Sequence, residues 1–310
     1  MQNDRKPLTK KAYVPIIIII LAILGLTSSF YILNRNEKKV EDSVLTTLQK
    51  TLNRPPPTPT FFPFQEMTIP YLRNREYESN LEELEKVSEN SNYTSYVTSY
   101  DSDGFRINGL LTIPTGLSTN VQDDSRKYPA VVFVHGYIPP QNYRTQVNYV
   151  AYVDYLAKNG LAVFKIDLRG HDNSEGEPGG SYYSGDYIID TLNAVAALKN
   201  ADFVDPNRIG LWGHSMAGNV VFRSLAAMPD IPKVVIWAGA VYTYEDFGQF
   251  RISDSSYQPP PQTSERRRKR DELFATYGQF NPNIEFWQQV PATNYLDEIK
   301  GAIQIHHAVD

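Results

Sequence analysis

The sequence predicts an α/β fold in which helices flank a mostly parallel sheet. From about residue 130 onward, short apolar runs of strand length alternate with stretches whose apolar residues recur at helical spacing. Uninterrupted apolar runs are typical of strands that are buried on both faces, as in parallel sheets. The chain has 310 residues, 41% of them hydrophobic, which is sufficient for a sizeable core. Strands and helices that alternate in this way pack as a sheet with helices on both faces.

An antiparallel hairpin is predicted ahead of the parallel strands. Residues 93–100 are rich in β-forming side chains, the Asp-Gly pair at 103–104 is a turn signal, and apolar residues alternate along 105–113. Before the hairpin, apolar residues recur at three-residue spacing between positions 81 and 87, which predicts a short amphipathic helix. The other predicted strands are 130–134, 161–166, 208–212, 234–238 and 302–305, and the other predicted helices are centred on 147–156, 188–198 and 216–227.

The interval between the last two predicted strands is unusually long. It covers about residues 241–300 and is rich in aromatic side chains. Insertions of this length are usually functional or carry structure of their own. Because open α/β sheets bind ligands at the carboxyl ends of their strands, we expect this insertion to form a cap over a site there. We expect a charged run within it, residues 265–272, to be a solvated helix face.

A membrane anchor is predicted within residues 1–35. Residues 12–34 contain no charged side chain and are long enough to cross about 30 Å of hydrocarbon as a helix. Four basic residues precede this segment, which predicts a single-pass protein with a cytoplasmic N-terminus and an extracytoplasmic domain. A cleaved signal peptide is the alternative, but apolar residues resume at 30–33 and make the segment longer than a typical signal core.

A proline-rich linker is predicted at residues 36–66, between the anchor and a folded domain at 67–310. Its prolines are concentrated at 55–63 and keep the chain extended. The net charge of −5 disfavours a nucleic-acid partner. The absence of cysteine excludes disulfides, thiolate metal sites and cysteine catalysis.

The strongest chemical signal is the segment WGHSMAG at residues 212–218, between a predicted strand and a predicted helix. Small residues, Gly213 and Ala217, stand two positions before and after Ser215, as the sharp turn of a nucleophile elbow requires. Ser215 is therefore the candidate nucleophile. The Met216 N–H and the Tyr137 N–H are the candidate oxyanion donors, since Tyr137 follows the first buried strand. The Tyr137 hydroxyl is a further candidate donor.

These motifs resemble those of α/β-hydrolases, most closely the catalytic domain of the prolyl oligopeptidase family and next the dienelactone-hydrolase-like esterases. The resemblance implies an α/β-hydrolase fold with a cap insertion and a Ser–acid–His triad in that chain order, with neither cofactor nor metal. It covers the chain from about residue 93 onward, and the resembling segments are 100–104, 107–109, 135–137, 167–171, 205–210 and 212–218. We interpret segment 167–171 (DLRGH) as structural support at the rim of the site.

The resemblance also assigns the acid. Segment 305–310 (IHHAVD) matches the pattern in which family members place their catalytic acid, so Asp310 is the candidate. In the family a further strand, a helix and the catalytic histidine follow the acid, whereas every histidine of this sequence precedes Asp310. We therefore expect the chain to be a C-terminally truncated fragment that is nearly inactive by itself.

Three functions remain open at this point. The first is a membrane-anchored serine hydrolase of the prolyl oligopeptidase type, which would cleave peptides through an acyl-enzyme. The second is a carboxylesterase that acts on acyl or sugar esters by the same chemistry. The third is a catalytically inactive binding module on the hydrolase scaffold, although an intact serine elbow argues against it.

Overall fold

The computed structural model describes residues 61–115, 127–250 and 264–308. The predicted anchor, nearly all of the predicted linker and Asp310 lie outside the described residues. Among the described residues, none of the helices has the length and apolar character needed to cross a bilayer.

Eight strands of the described chain form one mixed sheet, in the order β1-β2-β3-β5-β4-β6-β7-β8. Strands β1, β2 and β3 pair antiparallel, β3 pairs antiparallel with β5, and the five strands from β5 to β8 in this order are parallel. The strands are β1 Glu85–Glu89, β2 Tyr93–Ser102, β3 Phe105–Pro114, β4 Tyr128–Val134, β5 Ala162–Ile166, β6 Val204–His214, β7 Lys233–Trp237 and β8 Ala302–His306.

The helices connect these strands as the alternating pattern predicts. Helix α3 lies between β5 and β6 in the chain and has nearly all of its residues buried, including the polar Asp190, Thr191 and Asn193. The helices are α1 Ile69–Asn74, α2 Val150–Lys158, α3 Asp186–Lys199, α4 Ala217–Ala227, α5 Tyr244–Gln249, α6 Glu265–Tyr277 and α7 Glu285–Gln289. The five predicted parallel strands and the helices between them are confirmed, with shifts at their ends.

The predicted hairpin is confirmed as β2 and β3. Its loop has two residues, Asp103 with φ of 55° and Gly104 with φ of 82°, and Ser102 pairs with Phe105 across it. Two consecutive positive φ angles define the turn type that matches the twist of the flanking strands.

The helix predicted between residues 81 and 87 is wrong. Residues 85–89 instead form edge strand β1, which pairs antiparallel with β2. All but one of its residues are exposed, the exception being the half-buried Val87. Pairing with the next strand therefore determines this element, and three apolar residues at helical spacing do not outweigh it.

The insertion between β7 and β8 forms a second, smaller apolar cluster. Leu273 of α6 and Trp287 of α7 are fully buried there, against Met67 and two tyrosines, Tyr182 and Tyr244. The predicted solvated face of α6 is only partly correct. Arg268 is exposed and pairs with glutamates of its own helix, whereas Lys269 forms an ion pair with Asp186 of α3.

A buried ion pair joins the loop after β5 to helix α3. The Arg169 guanidinium donates to both carboxylate oxygens of Asp190, at 2.6 and 3.0 Å, and the Ser102 hydroxyl donates to the same carboxylate at 2.7 Å. Asp190 is fully buried and Arg169 is 7% exposed. This arrangement agrees with the interpretation of segment 167–171 as structural support.

We predict that Asp190→Asn decreases the free energy of unfolding by about 3 kcal/mol, because it leaves the buried Arg169 charge with only its longer contact to Asp186, at 3.4 Å. Asp230→Asn is the matched control, since Asp230 forms an ion pair with Lys300 in which both side chains are more than 70% exposed. We expect this control to change stability by less than about 0.5 kcal/mol. Urea unfolding midpoints measure both effects, and equal midpoints would contradict a stabilising role for the Arg169–Asp190 pair.

Candidate active site

Ser215 lies in the sharp turn between β6 and α4. Its backbone φ is 53°, in the left-handed region that residues other than glycine rarely adopt. β6 ends at His214 and α4 begins at Ala217, with Met216 as its N-cap. The Met216 N–H therefore belongs to the first turn of a helix, where backbone donors lack partners within the helix. The geometry is that of the predicted nucleophile elbow.

Close backbone packing explains the small residues around the serine. A Cβ at Gly213 would lie 2.6 Å from the carbonyl oxygen of Ala217, a distance that real contacts do not reach. A Cβ at Gly218 would lie 2.7 Å from the Cα of Gly239, in the loop after β7. Ala217 itself is fully buried, so the packing around the turn accommodates its methyl group.

The loop that carries Tyr137 emerges beside the elbow. Strands β4 and β6 are parallel neighbours, and Val134 at the end of β4 pairs with Gly213. The loops that follow these two residues therefore leave the sheet at the same edge. Tyr137 is 49% exposed, and the guanidinium carbon of Arg266 on α6 lies 5.8 Å from the centre of its ring. The insertion thus reaches the loop that carries the second candidate donor.

A tyrosine that the sequence analysis missed connects these two loops. The Gly136 N–H donates to the Tyr149 hydroxyl at 3.0 Å, and this hydroxyl lies 2.7 Å from Nδ1 of His214. The His214 ring is therefore held by Tyr149. Tyr149 precedes α2 and has no motif of its own, so only the tertiary structure identifies it.

None of the five histidines is hydrogen-bonded to the Ser215 hydroxyl in the part of the chain that the structure describes. His135 is fully buried and lies 2.7 Å from the Gly136 carbonyl oxygen, and burial lowers its pKa to about 3. His306 stacks on Trp237 with ring centres 4.5 Å apart. Of the other three, His214 contacts Tyr149, His171 contacts Arg169, and His307 contacts Ala308. Among the described residues, therefore, no histidine contacts the candidate nucleophile through a hydrogen bond.

A buried polar network supports the Tyr137 loop from below. The Asp167 carboxylate accepts from the Tyr143 hydroxyl at 2.8 Å and from the Thr145 hydroxyl, and the ring of Tyr143 stacks on His135. Lys165 Nζ donates to the Tyr143 hydroxyl at 2.8 Å. Burial raises the pKa of Asp167 to about 7 and lowers the pKa of Lys165 to about 8.

Within the described residues, no group of three or more side chains could hold a metal ion.

Comparison with known proteins agrees with this geometry. A family model described as serine aminopeptidase, S33, matches residues 126–256. Dipeptidyl peptidase 8 of Homo sapiens is 32% identical over 146 residues, which cover 45% of this chain and 16% of that protein. Prolyl endopeptidase FAP of Homo sapiens is 32% identical over 137 residues, which cover 40% of this chain and 17% of that protein. The chain thus spans about a sixth of the length of these two relatives.

A solved structure shares the fold. The acetyl xylan esterase from Paenibacillus sp. R4 superposes with a TM-score of 0.50 and 16% identity, and the match covers 82% of this chain and 90% of the esterase. At this identity the likeness establishes the fold alone. The expected α/β-hydrolase fold is therefore confirmed, whereas the nucleophile elbow and the roles of Ser215, Met216, Tyr137 and Asp310 stay predictions.

We predict that His135→Asn changes the pH dependence of stability. The unfolded chain binds a proton at His135 near pH 6.5, whereas the pKa in the folded chain is about 3. Acid therefore favours the unfolded wild-type chain across this window, by about 1.4 kcal/mol per pH unit. Asp167 acts in the opposite direction, since its pKa is raised to about 7, so the test compares two proteins that differ only at position 135.

The measurement is chemical unfolding of both proteins between pH 6 and pH 4. We expect the variant to gain stability relative to the wild type as the pH falls, because it lacks the histidine that the unfolded chain protonates. A stability difference that does not change with pH would contradict the prediction.

Proposed function

Because the chain belongs to the α/β-hydrolase superfamily, we propose that it is a serine hydrolase in which Ser215 attacks a substrate carbonyl carbon. The observation that carries this proposal is the left-handed backbone of Ser215 at the junction of β6 and α4. A strained conformation of this kind costs about 1–3 kcal/mol and persists at functional sites where the surrounding structure enforces it. A module that only binds ligands has no use for this strain, which disfavours the third function.

In the proposed reaction the Ser215 hydroxyl adds to the carbonyl carbon of a peptide or an ester. The Met216 N–H and the Tyr137 N–H donate to the oxyanion that develops, and the leaving group departs to give an acyl-enzyme. Water then attacks the acyl-enzyme and releases the acid. A serine hydroxyl needs a general base, which takes its proton in the first step and passes it to the leaving group.

Peptides are the proposed substrates. This part of the proposal draws on the serine aminopeptidase description of the matching family and on the two peptidases among the relatives. An ester substrate is the second candidate, since the acetyl xylan esterase has the same fold and amides and esters share the acyl-enzyme chemistry. Residues 1–35 are the proposed membrane anchor, and the hydrolase domain is proposed to lie on the extracytoplasmic side.

A fluorophosphonate probe tests the nucleophile. We expect the full-length protein to be labelled at Ser215 and Ser215→Ala to lose the label, with kcat/KM lower by at least about 1,000-fold. Ser91→Ala is the control, because Ser91 is an exposed serine remote from the elbow in sequence, and this variant should label like the wild type. Failure of the wild type to label would refute the hydrolase proposal in favour of a binding module.

Paired chromogenic substrates separate the two enzyme functions. We expect the full-length protein to release nitroaniline from an aminoacyl-proline nitroanilide, and also to hydrolyse p-nitrophenyl acetate, since an active ester needs less help for its leaving group. Turnover of the ester with no turnover of any anilide would reject the peptidase assignment and leave the carboxylesterase. The Ser215→Ala variant measures the background of both assays.

A further inference from the structure

We propose that Tyr149 is a positioning residue that sets the spacing between the two oxyanion donors. The inference rests on the proposed function, since it concerns the same site. The donors belong to different loops: Tyr137 follows β4, whereas Met216 follows β6. Gly136, next to Tyr137, is hydrogen-bonded to the Tyr149 hydroxyl. His214, next to Ser215, is hydrogen-bonded to the same hydroxyl. This hydroxyl therefore links the two loops directly.

The proposal assigns a direction to the two bonds. The Gly136 N–H donates to the Tyr149 oxygen, and the hydroxyl donates its own proton to Nδ1 of His214, 2.7 Å away. Nδ1 then acts as an acceptor, which requires a neutral imidazole with its proton on Nε2. Burial lowers the pKa of His214 and so favours this neutral form. Tyr149 thereby fixes both the tautomer and the orientation of the ring next to Ser215.

The backbone of Tyr149 supports this assignment independently. Its φ is 63°, although it is a bulky aromatic residue, and such residues in the left-handed region are rare. Tyr149 is the N-cap of α2, yet its side chain makes no capping bond to that helix. Helix capping therefore does not explain the strained conformation. The two bonds of the hydroxyl and the edge-to-face contact of the ring with Phe133, at 5.6 Å, are what the conformation provides.

The packing around Gly136 leaves little space for adjustment. A Cβ at Gly136 would lie 2.7 Å from the Tyr149 hydroxyl oxygen and 2.9 Å from Nδ1 of His214. The three groups are thus in contact around a position that only glycine fits. Without the hydroxyl, Gly136 loses the acceptor for its N–H and His214 loses the donor at Nδ1. Since oxyanion donors act only within a narrow range of distances, we expect catalysis to be sensitive to this loss.

The test is Tyr149→Phe in the full-length protein, which removes one oxygen and keeps the ring. We expect kcat for p-nitrophenyl acetate to decrease between about 10- and 100-fold, with KM within about twofold of the wild type. Tyr152→Phe is the matched control: Tyr152 is a neighbouring tyrosine, 5.8 Å away ring to ring and 41% exposed, and we expect wild-type kcat. Wild-type kcat in Tyr149→Phe would overturn the proposal.

Two further measurements separate positioning from loss of structure. Nitrogen NMR of His214 should show Nδ1 as an acceptor in the wild type and a changed Nδ1 chemical shift in Tyr149→Phe. The unfolding temperature of Tyr149→Phe, measured separately, checks that the variant is folded. His214→Asn, which keeps an acceptor oxygen close to the position of Nδ1, should retain more activity than His214→Leu. An unchanged His214 spectrum, or equal losses in the two His214 variants, would also overturn the proposal. The NMR result does not depend on turnover, so it stands apart from the fluorophosphonate test of the proposed function.

Discussion

Three backbone hydrogen bonds fix the turn at Ser215. The Ser215 N–H donates to the carbonyl oxygen of Trp237 at 3.1 Å, and the Ser215 carbonyl accepts from Gly218 and Ala240 at 2.9 and 2.8 Å. These bonds join the turn both to its own helix and to the loop after β7. Because backbone groups make all of them, the strained conformation depends on the pairing of β6 with β7 and on the close approach of Gly218 to Gly239. The sheet is therefore the support that keeps the serine in place.

The second half of the site follows from the same sheet. β4 and β6 are adjacent and parallel, so the loop of Tyr137 emerges next to the elbow. Beneath that loop lie the stacked rings of His135 and Tyr143, and below them the buried Asp167 and Lys165. Buried polar groups in a fully bonded network are rigid. The site thus combines a strained backbone on one strand with a tightly bonded polar layer on the next.

Local patterns in the sequence predict much of this structure. The hairpin turn and the buried strands depend on residues that are close in sequence, and these predictions are confirmed. The turn at Ser215 lies between a strand and a helix, as its local sequence predicts. The helix at residues 81–87 fails because β1 is formed by pairing with β2, which local spacing does not reveal. Tyr149 escapes sequence analysis for a related reason, since its two partners, Gly136 and His214, are 13 and 65 residues away. The role of Asp310, which lies outside the described residues, stays a prediction.

The insertion leaves and rejoins the sheet at neighbouring strands. β7 and β8 are paired in register from Lys233 opposite Ala302 to Trp237 opposite His306, although some sixty residues separate them. The entropy of closing such a loop rises only slowly with its length. This segment can therefore be lengthened, shortened or exchanged while the strands beneath it keep their alignment. The pairing of β7 with β8 thereby leaves the length of the chain between them free to vary at little thermodynamic cost to the sheet.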